Sequence, residues 1–337
     1  MINNLGADFE SVPLFNMQQF LRGETKERNE FLSRLRDVCH HIGFFYIENH
    51  GISDSLMKQM LTLTKAFFDL SQEEKDTISL SPAAHYRGYG RLEAEKTKGI
   101  PDYKETYDLG LEQPKRTVSN EQPYLILQGP NQWPQSSKLS ELRLKETVLQ
   151  YITAMQSVGE HIMAAMSLAL GVSENYLVNQ FCSKSEDSYA ILRLLRYPPG
   201  RLSEDGQEPQ LGVGPHTDMG CLVILLQDDV GGLQIQNCNG KWVDAPPIPG
   251  TFVVNIGEML QIWSNNYFLA TPHRVINVSP QIRHSVPFFF EPNLSTVVSP
   301  LPLPPELMGQ ARRVPIDPGT RIVYGEHILN VYQRSFP

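Results

Sequence analysis

The sequence predicts a mixed α and β protein in which a jelly-roll core is flanked by helices. Strand-like runs crowd the region after Tyr189: A-I-L-R-L-L-R-Y, C-L-V-I-L-L-Q, G-L-Q-I-Q, K-W-V-D-A, T-F-V-V-N-I, H-R-V-I-N-V and S-V-P-F-F-F. Many short strands separated by turn signals build sandwiches, barrels or jelly rolls. Ahead of them, one long apolar-faced helix over about 138–170 needs a large surface to pack on and is expected to brace the outside of one sheet. The first third alternates strands with amphipathic helices.

Taken in order, V-P-L-F-N (12–16) reads as a short strand. From Lys26 to Cys39, Phe31, Leu35 and Val38 fall on one helical stripe. G-F-F-Y-I-E-N-H-G (43–51) is a strand bounded by glycines. Residues 53–70 form a second amphipathic helix, with Ser53 or Asp54 as N-cap. Ser71 opens a short helix, because S-Q-E-E matches a capping box. Residues 80–135, rich in Gly, Pro and Tyr, read as irregular. Ser136 or Ser137 opens the long helix and Gly171 closes it. In the strand-rich part, Asn239-Gly240 predicts a type I′ hairpin and Gly231-Gly232 another break. The expected division is a mixed N-terminal region, 1–135, and the bracing helix plus jelly roll, 136–337, in one compact unit.

With 337 residues, 41% hydrophobic and 20% charged, the composition is that of an ordinary globular protein. At this size roughly 75% of the unfolded surface can be buried, so no covalent staples are needed. A formal charge of −8 and the lack of any Lys/Arg run exclude a protein built to grip nucleic acid. A small anionic ligand needs only one well-placed Arg. Cys39, Cys182, Cys221 and Cys238 are scattered without C-x-x-C spacing, which predicts a reducing compartment. The opening residues lack the basic and apolar regions of a signal peptide, and no apolar run reaches membrane-spanning length. A cytoplasmic protein without membrane partners is expected; oligomeric state has no signature here.

The chemistry-bearing residues begin at V-G-P-H-T-D-M-G (213–220). Residues i and i+2 of a strand share a face, so His216 and Asp218 can reach one ion, with Gly214, Pro215 and Gly220 leaving room beside it. Two His and one carboxylate with open positions form the facial triad of non-haem Fe(II) oxygenases. The third ligand must return from afar, and His273 in A-T-P-H-R-V-I-N-V heads a strand. In R-H-S-V-P-F-F-F, Arg283 and Ser285 share a face and can hold an acidic cosubstrate through a two-pronged guanidinium and a hydroxyl.

Each signal alone is weak. H-x-D in a chain with nine histidines is more often a turn or a paired His. His273 reads equally as ligand or structural residue, and Arg201-Leu202-Ser203 also fits R-x-S. Order and spacing together carry the reading. His284 should face away, and His40, His41, His50, His85, His161 and His327 fit no metal spacing.

At this point a resemblance is plain. G-P-H-T-D, G-G-L-Q-I, W-V-D-A-P-P-I-P-G-T-F-V-V-N-I-G-E, T-P-H-R-V and R-H-S-V-P-F-F resemble the catalytic half of the isopenicillin N synthase-like 2-oxoglutarate- and Fe(II)-dependent oxygenases. V-P-L-F-N, C-H-H-I-G-F-F-Y-I-E-N-H-G-I, R-G-Y-G and D-Y-K-E-T-Y-D-L-G resemble that family's leading region. The resemblance covers nearly the whole chain. It implies a double-stranded β-helix core, His216, Asp218 and His273 as iron ligands, and Arg283 and Ser285 on the distal carboxylate of 2-oxoglutarate. Tyr197 in L-L-R-Y-P-P matches a family tyrosine on the same carboxylate. Many plant members have an Asn two positions earlier, where this chain has Leu195.

The implied activity uses Fe(II), 2-oxoglutarate and O2. It oxidises a small organic metabolite by hydroxylation, desaturation or cyclisation, and releases succinate and CO2. It requires no catalytic side chain beyond the metal ligands. The segment 87–110 and the tail 327–337 are expected to cover the pocket, with Arg87, Tyr103, Lys104, Arg193 and Phe290 as candidate substrate contacts. The polar loop 200–212 is a candidate lid. Two rivals stand beside this reading. An isopenicillin N synthase-type oxidase uses the same triad without 2-oxoglutarate, its R-x-S holding the substrate's own carboxylate. A non-catalytic jelly roll would hold structural zinc, but that needs a fourth ligand, and none has sensible spacing.

Overall fold

A computed structural model describes residues 8–181, 188–202, 208–310 and 313–335. Two sheets make the core, as the strand spacing predicts. The larger has eight strands in the spatial order Leu14–Asn16, Phe44–Glu48, Phe252–Ile256, Leu222–Gln227, Arg283–Phe290, Ala190–Tyr197, Glu105–Gly110 and Gly88–Gly90. The smaller has four: Trp242–Asp244, Leu233–Gln236, His273–Ile276 and Leu211–His216. Chain order crosses between them repeatedly, as in a jelly roll. Strands from the first third of the chain complete both ends of the larger sheet.

The helix Thr25–His41 buries Phe31, Leu35 and Val38, the stripe that its periodicity predicts. Ser53 caps the helix Asp54–Phe68 by accepting from the Leu56 amide at 3.3 Å. The box of Ser71 and Glu74 is closed in both directions.

Three expectations need correction. The helix expected over 138–170 is two, Ser137–Glu141 and Leu144–Ala169, because Arg143 adopts φ 58° between them. That turn buries both Leu139 and Leu144. The longer helix then packs against the larger sheet, where Gly159 gives the Phe290 ring its room: a Cβ there would lie 2.6 Å from the ring.

The segment 80–135 is not wholly irregular, since Glu105–Gly110 and Gly88–Gly90 extend the larger sheet. Glu105–Gly110 is buried at every position, so it shows no alternation, and its charges hide its strand character. Glu105 pairs with Lys75 at 2.8 Å, and Asp108 with Arg193 at 2.6 Å.

The Asn239-Gly240 connection is a hairpin, but only Gly240 of that pair has positive φ. A type I′ turn needs it at both. The Asn237 side chain instead accepts from the amides of Asn239 (3.1 Å) and Lys241 (3.0 Å), which closes a longer loop.

Candidate active site

His216 is the last residue of its strand and His273 the first of the neighbouring one; the two are direct cross-strand partners. Asp218 lies beyond the strand end, in a loop, not on the strand as expected. Its backbone carbonyl accepts from the Glu258 amide at 2.7 Å, and its Oδ2 accepts from Asn255 Nδ2 at 2.6 Å. These bonds turn the carboxylate back toward the imidazoles. His216 Nε2 is 3.7 Å from Asp218 Oδ1, and His273 Nε2 is 3.6 Å from Oδ2. One ligand atom from each of the three lies within 4.8 Å of the others.

The tautomers suit a cation. Nδ1 of His216 is 2.8 Å from the Gly214 carbonyl, and Nδ1 of His273 is 3.1 Å from that of Thr271. A carbonyl only accepts, so each Nδ1 carries the proton and each Nε2 presents a lone pair. Burial, then His273, brings His216 down to about 4, so it is neutral at pH 7. Burial would raise Asp218, but the imidazoles and Asn255 outweigh it, and the carboxyl titrates below its usual range. Two imidazoles presenting Nε2 and one carboxylate are the donor set of a non-haem ferrous site. Among the described residues no fourth ligand joins them, which disfavours structural zinc.

Arg283 is fully buried, yet no carboxylate of the described residues pairs with it. Nη2 donates to Gln227 Oε1 at 2.9 Å and Nη1 to Ser285 Oγ at 3.2 Å, while Nε has no partner. Tyr197 is its cross-strand partner, with the ring 4.8 Å below the guanidinium. A buried cation without an anion is costly, so this cradle fits a carboxylate brought by a ligand. Ser285 has Leu195 opposite it on one neighbouring strand and Gln227 on the other. Gln227 was not singled out from sequence, although strand register alone brings it there. His284 faces away and lies 3.7 Å from Asp228, as parity predicts.

Triad and cradle open on one cavity of about 650 Å³. Positions 283, 285, 287 and 289 of one strand and Glu291 just beyond it line the cavity, as do 191, 193, 195 and 197 of the neighbouring strand. The helix Tyr324–Ser335 supplies another wall through Tyr324, Ile328, Val331 and Tyr332. His327 on that helix reaches the Met219 carbonyl at 3.2 Å, next to Asp218. The tail was expected to cover the pocket, and its described part is this helix; its last two residues, and 203–207 of the proposed lid, lie outside the described residues.

Lys104 and Arg193 line the cavity, but both are already paired. Lys104 meets Glu95 at 2.9 Å and Asp102 at 3.0 Å; Arg193 meets Asp108 at 2.6 Å and Glu95 at 3.1 Å. The other three candidate contacts do not line the cavity. Arg87 is buried against Asn131 and the Leu127 carbonyl, where it holds the end of a sheet strand. Tyr103 lies under the Arg201 guanidinium, 3.9 Å away. Phe290 has the opposite strand parity and packs under the long helix. Phe289 and Glu291 occupy the inward positions, and counting by twos from Arg283 finds both.

A ferrous donor set at the mouth of a jelly roll, beside a buried arginine awaiting an anion, defines a non-haem iron oxygenase. Comparison with known proteins agrees. Residues 12–136 match the family described as "non-haem dioxygenase in morphine synthesis N-terminal", and 187–292 match the 2OG-Fe(II) oxygenase superfamily. The chain belongs to that superfamily. It is 37% identical to a homoarginine-6-hydroxylase of Glycine max, over 98% of this chain and 99% of that one. A 2-oxoglutarate-Fe(II) type oxidoreductase of Aspergillus fumigatus is 32% identical over 83% of this chain and 82% of its own. Among solved structures, a full-length Neurospora crassa protein in complex with alpha-KG is 26% identical, with TM-score 0.80 over 98% of this chain and 99% of that one. The protein is thus an Fe(II)- and 2-oxoglutarate-dependent oxygenase that carries out hydroxylation-type oxidation of a small molecule. No described helix is long and apolar enough to cross a membrane.

Proposed function

We propose that His216, Asp218 and His273 are the iron ligands, and that Arg283, Ser285 and Tyr197 hold the distal carboxylate of 2-oxoglutarate. The observation that carries this reading is the pair of freed Nε2 atoms converging on Asp218, beside a buried guanidinium with no acid of its own. Bound iron supplies the activation of O2 that no side chain provides. The protein's part is placement. Asn255 fixes the carboxylate, Gln227 and Ser285 aim the guanidinium, and the apolar wall of Val223, Leu225 and Phe289 limits water near the reacting C–H.

The substrate we infer is a metabolite of amino-acid size, hydroxylated at a C–H bond. Four plant relatives named homoarginine-6-hydroxylase support that scale, as does the cavity volume. Free thiols at Cys39, Cys221 and Cys238 support a reducing, cytoplasmic setting; Cys182 lies outside the described residues. Anaerobic titration with Fe(II) and then 2-oxoglutarate, followed by oxygen and a metabolite panel scored for succinate, tests the reading. Absence of a ternary complex overturns it.

A further inference from the structure

We propose that Glu291 selects the substrate by pairing with a cationic nitrogen group on its side chain, such as an ammonium or a guanidinium. This deepens the oxygenase reading and rests on it. Arg283 stands at one end of its strand and Glu291 just beyond the other, on the same cavity-facing side. The strand therefore presents a cation for the cosubstrate at one end and an acid for something else at the other.

Glu291 is only 4% exposed. Its Oε2 accepts from the Cys221 amide at 2.7 Å. Its Oε1 runs past Gly220, where a Cβ would lie 1.9 Å away, so only glycine at that position admits the carboxylate. Gly220 and Cys221 follow Asp218 closely, which puts this carboxyl beside the loop that carries the metal ligand.

Charge accounting isolates it. Lys104 and Arg193 are neutralised by Glu95, Asp102 and Asp108. Asp218 belongs to the triad and Arg283 to the cosubstrate. Lys96 and Arg334 also line the cavity but are solvent-exposed. Among the described residues of the cavity wall, Glu291 is the one enclosed acid that no cation balances. Tyr189 and Tyr324 line the same cavity and add ring surface of the kind that cations favour. Burial above all, with the nearby Asp218 charge, pushes the Glu291 carboxyl up to about 8, against the pull of the Cys221 amide and the Tyr324 hydroxyl. An arriving cation offsets that cost, whereas a neutral group of the same shape does not.

The test uses two matched ligand pairs that share an α-ammonium and differ only in side-chain charge: homoarginine with homocitrulline, and lysine with its Nε-acetyl derivative. Anaerobic enzyme loaded with Fe(II) and 2-oxoglutarate is titrated with each, and binding is read from the shift of the iron–cosubstrate absorption band. In at least one pair the cation should bind about ten- to a hundredfold tighter, the range of a charge-assisted hydrogen bond. Glu291→Gln, which keeps an acceptor for the Cys221 amide, should erase that preference. Equal affinities within both pairs, failure of all four ligands to bind, or a preference that survives in Glu291→Gln each overturn the proposal. The wild-type comparison decides alone if the variant does not fold. Loss of the iron–cosubstrate band in wild type would instead sink the oxygenase reading, so the two failures are distinguishable.

Discussion

His216 and His273 face each other across two antiparallel strands with ring centroids 4.3 Å apart. Backbone pairing, not side-chain attraction, sets that approach. The triad is therefore built into the smaller sheet, and only Asp218 depends on a loop.

Asp218→Ala should abolish measurable Fe(II) binding and succinate formation, because the single anionic ligand is gone. Asn255→Ala should be milder. It frees the Asp218 carboxylate to rotate, and such supporting contacts are worth about ten- to a hundredfold in metal affinity. Equilibrium Fe(II) titration of both variants checks the order; an Asn255→Ala variant with wild-type affinity contradicts it.

Arg283→Leu should weaken 2-oxoglutarate by about ten- to a hundredfold, the equivalent of roughly 1.5–3 kcal/mol. Gln227→Leu should do so less, since it removes only the acceptor that aims Nη2. Isothermal titration in the presence of Fe(II) and absence of O2 measures both, and unchanged affinity in Arg283→Leu moves the cosubstrate elsewhere.

Glu95 ties the cavity wall to acid stability. Burial would raise its pKa, but Arg193 and then Lys104 overcome that and bring it down to about 2. Between about 4.5 and about 2 the unfolded chain therefore binds a proton that the folded chain does not. The stabilisation is fully present above that window and is lost as pH falls through it. Glu95→Gln should cost about 3–5 kcal/mol at pH 7, as broken buried pairs do, and its penalty should shrink as pH drops toward 3. Urea unfolding at several pH values tests the convergence.

Gly159→Ala places a Cβ 2.6 Å from the Phe290 ring. Overpacking of this kind costs about 1–3 kcal/mol, more than the roughly 1 kcal/mol of helix propensity that alanine gains. The urea midpoint should fall with little change in slope, because the helix still packs.

Where pattern and burial coincide, the sequence was enough to read the molecule. Short apolar runs set apart by turn residues made the jelly roll visible, and the parity of Arg283 and Ser285 placed both on one inner face. The same parity excluded His284, and applied further it would have excluded Phe290 and found Glu291. Glu105–Gly110 escaped because it is buried on both faces and its acids are matched by Lys75, Arg193 and Arg196 from distant segments. Long-range pairing of that kind has no local signature. Arg87 misled for a related reason: an arginine near a pocket motif can be structural when its partners are the Asn131 side chain and a carbonyl.

The helix Tyr324–Ser335 forms a cavity wall yet carries no residue of the triad or of the arginine cradle. Contact with the substrate is thus shared between the barrel, which carries Glu291, and a terminal helix that supplies neither triad nor cradle. A chain clipped before Tyr324 should still load metal and cosubstrate while losing the part of its discrimination that the helix wall supplies, and grafting another terminal helix onto this barrel offers a route to new targets that keeps the triad and the arginine cradle.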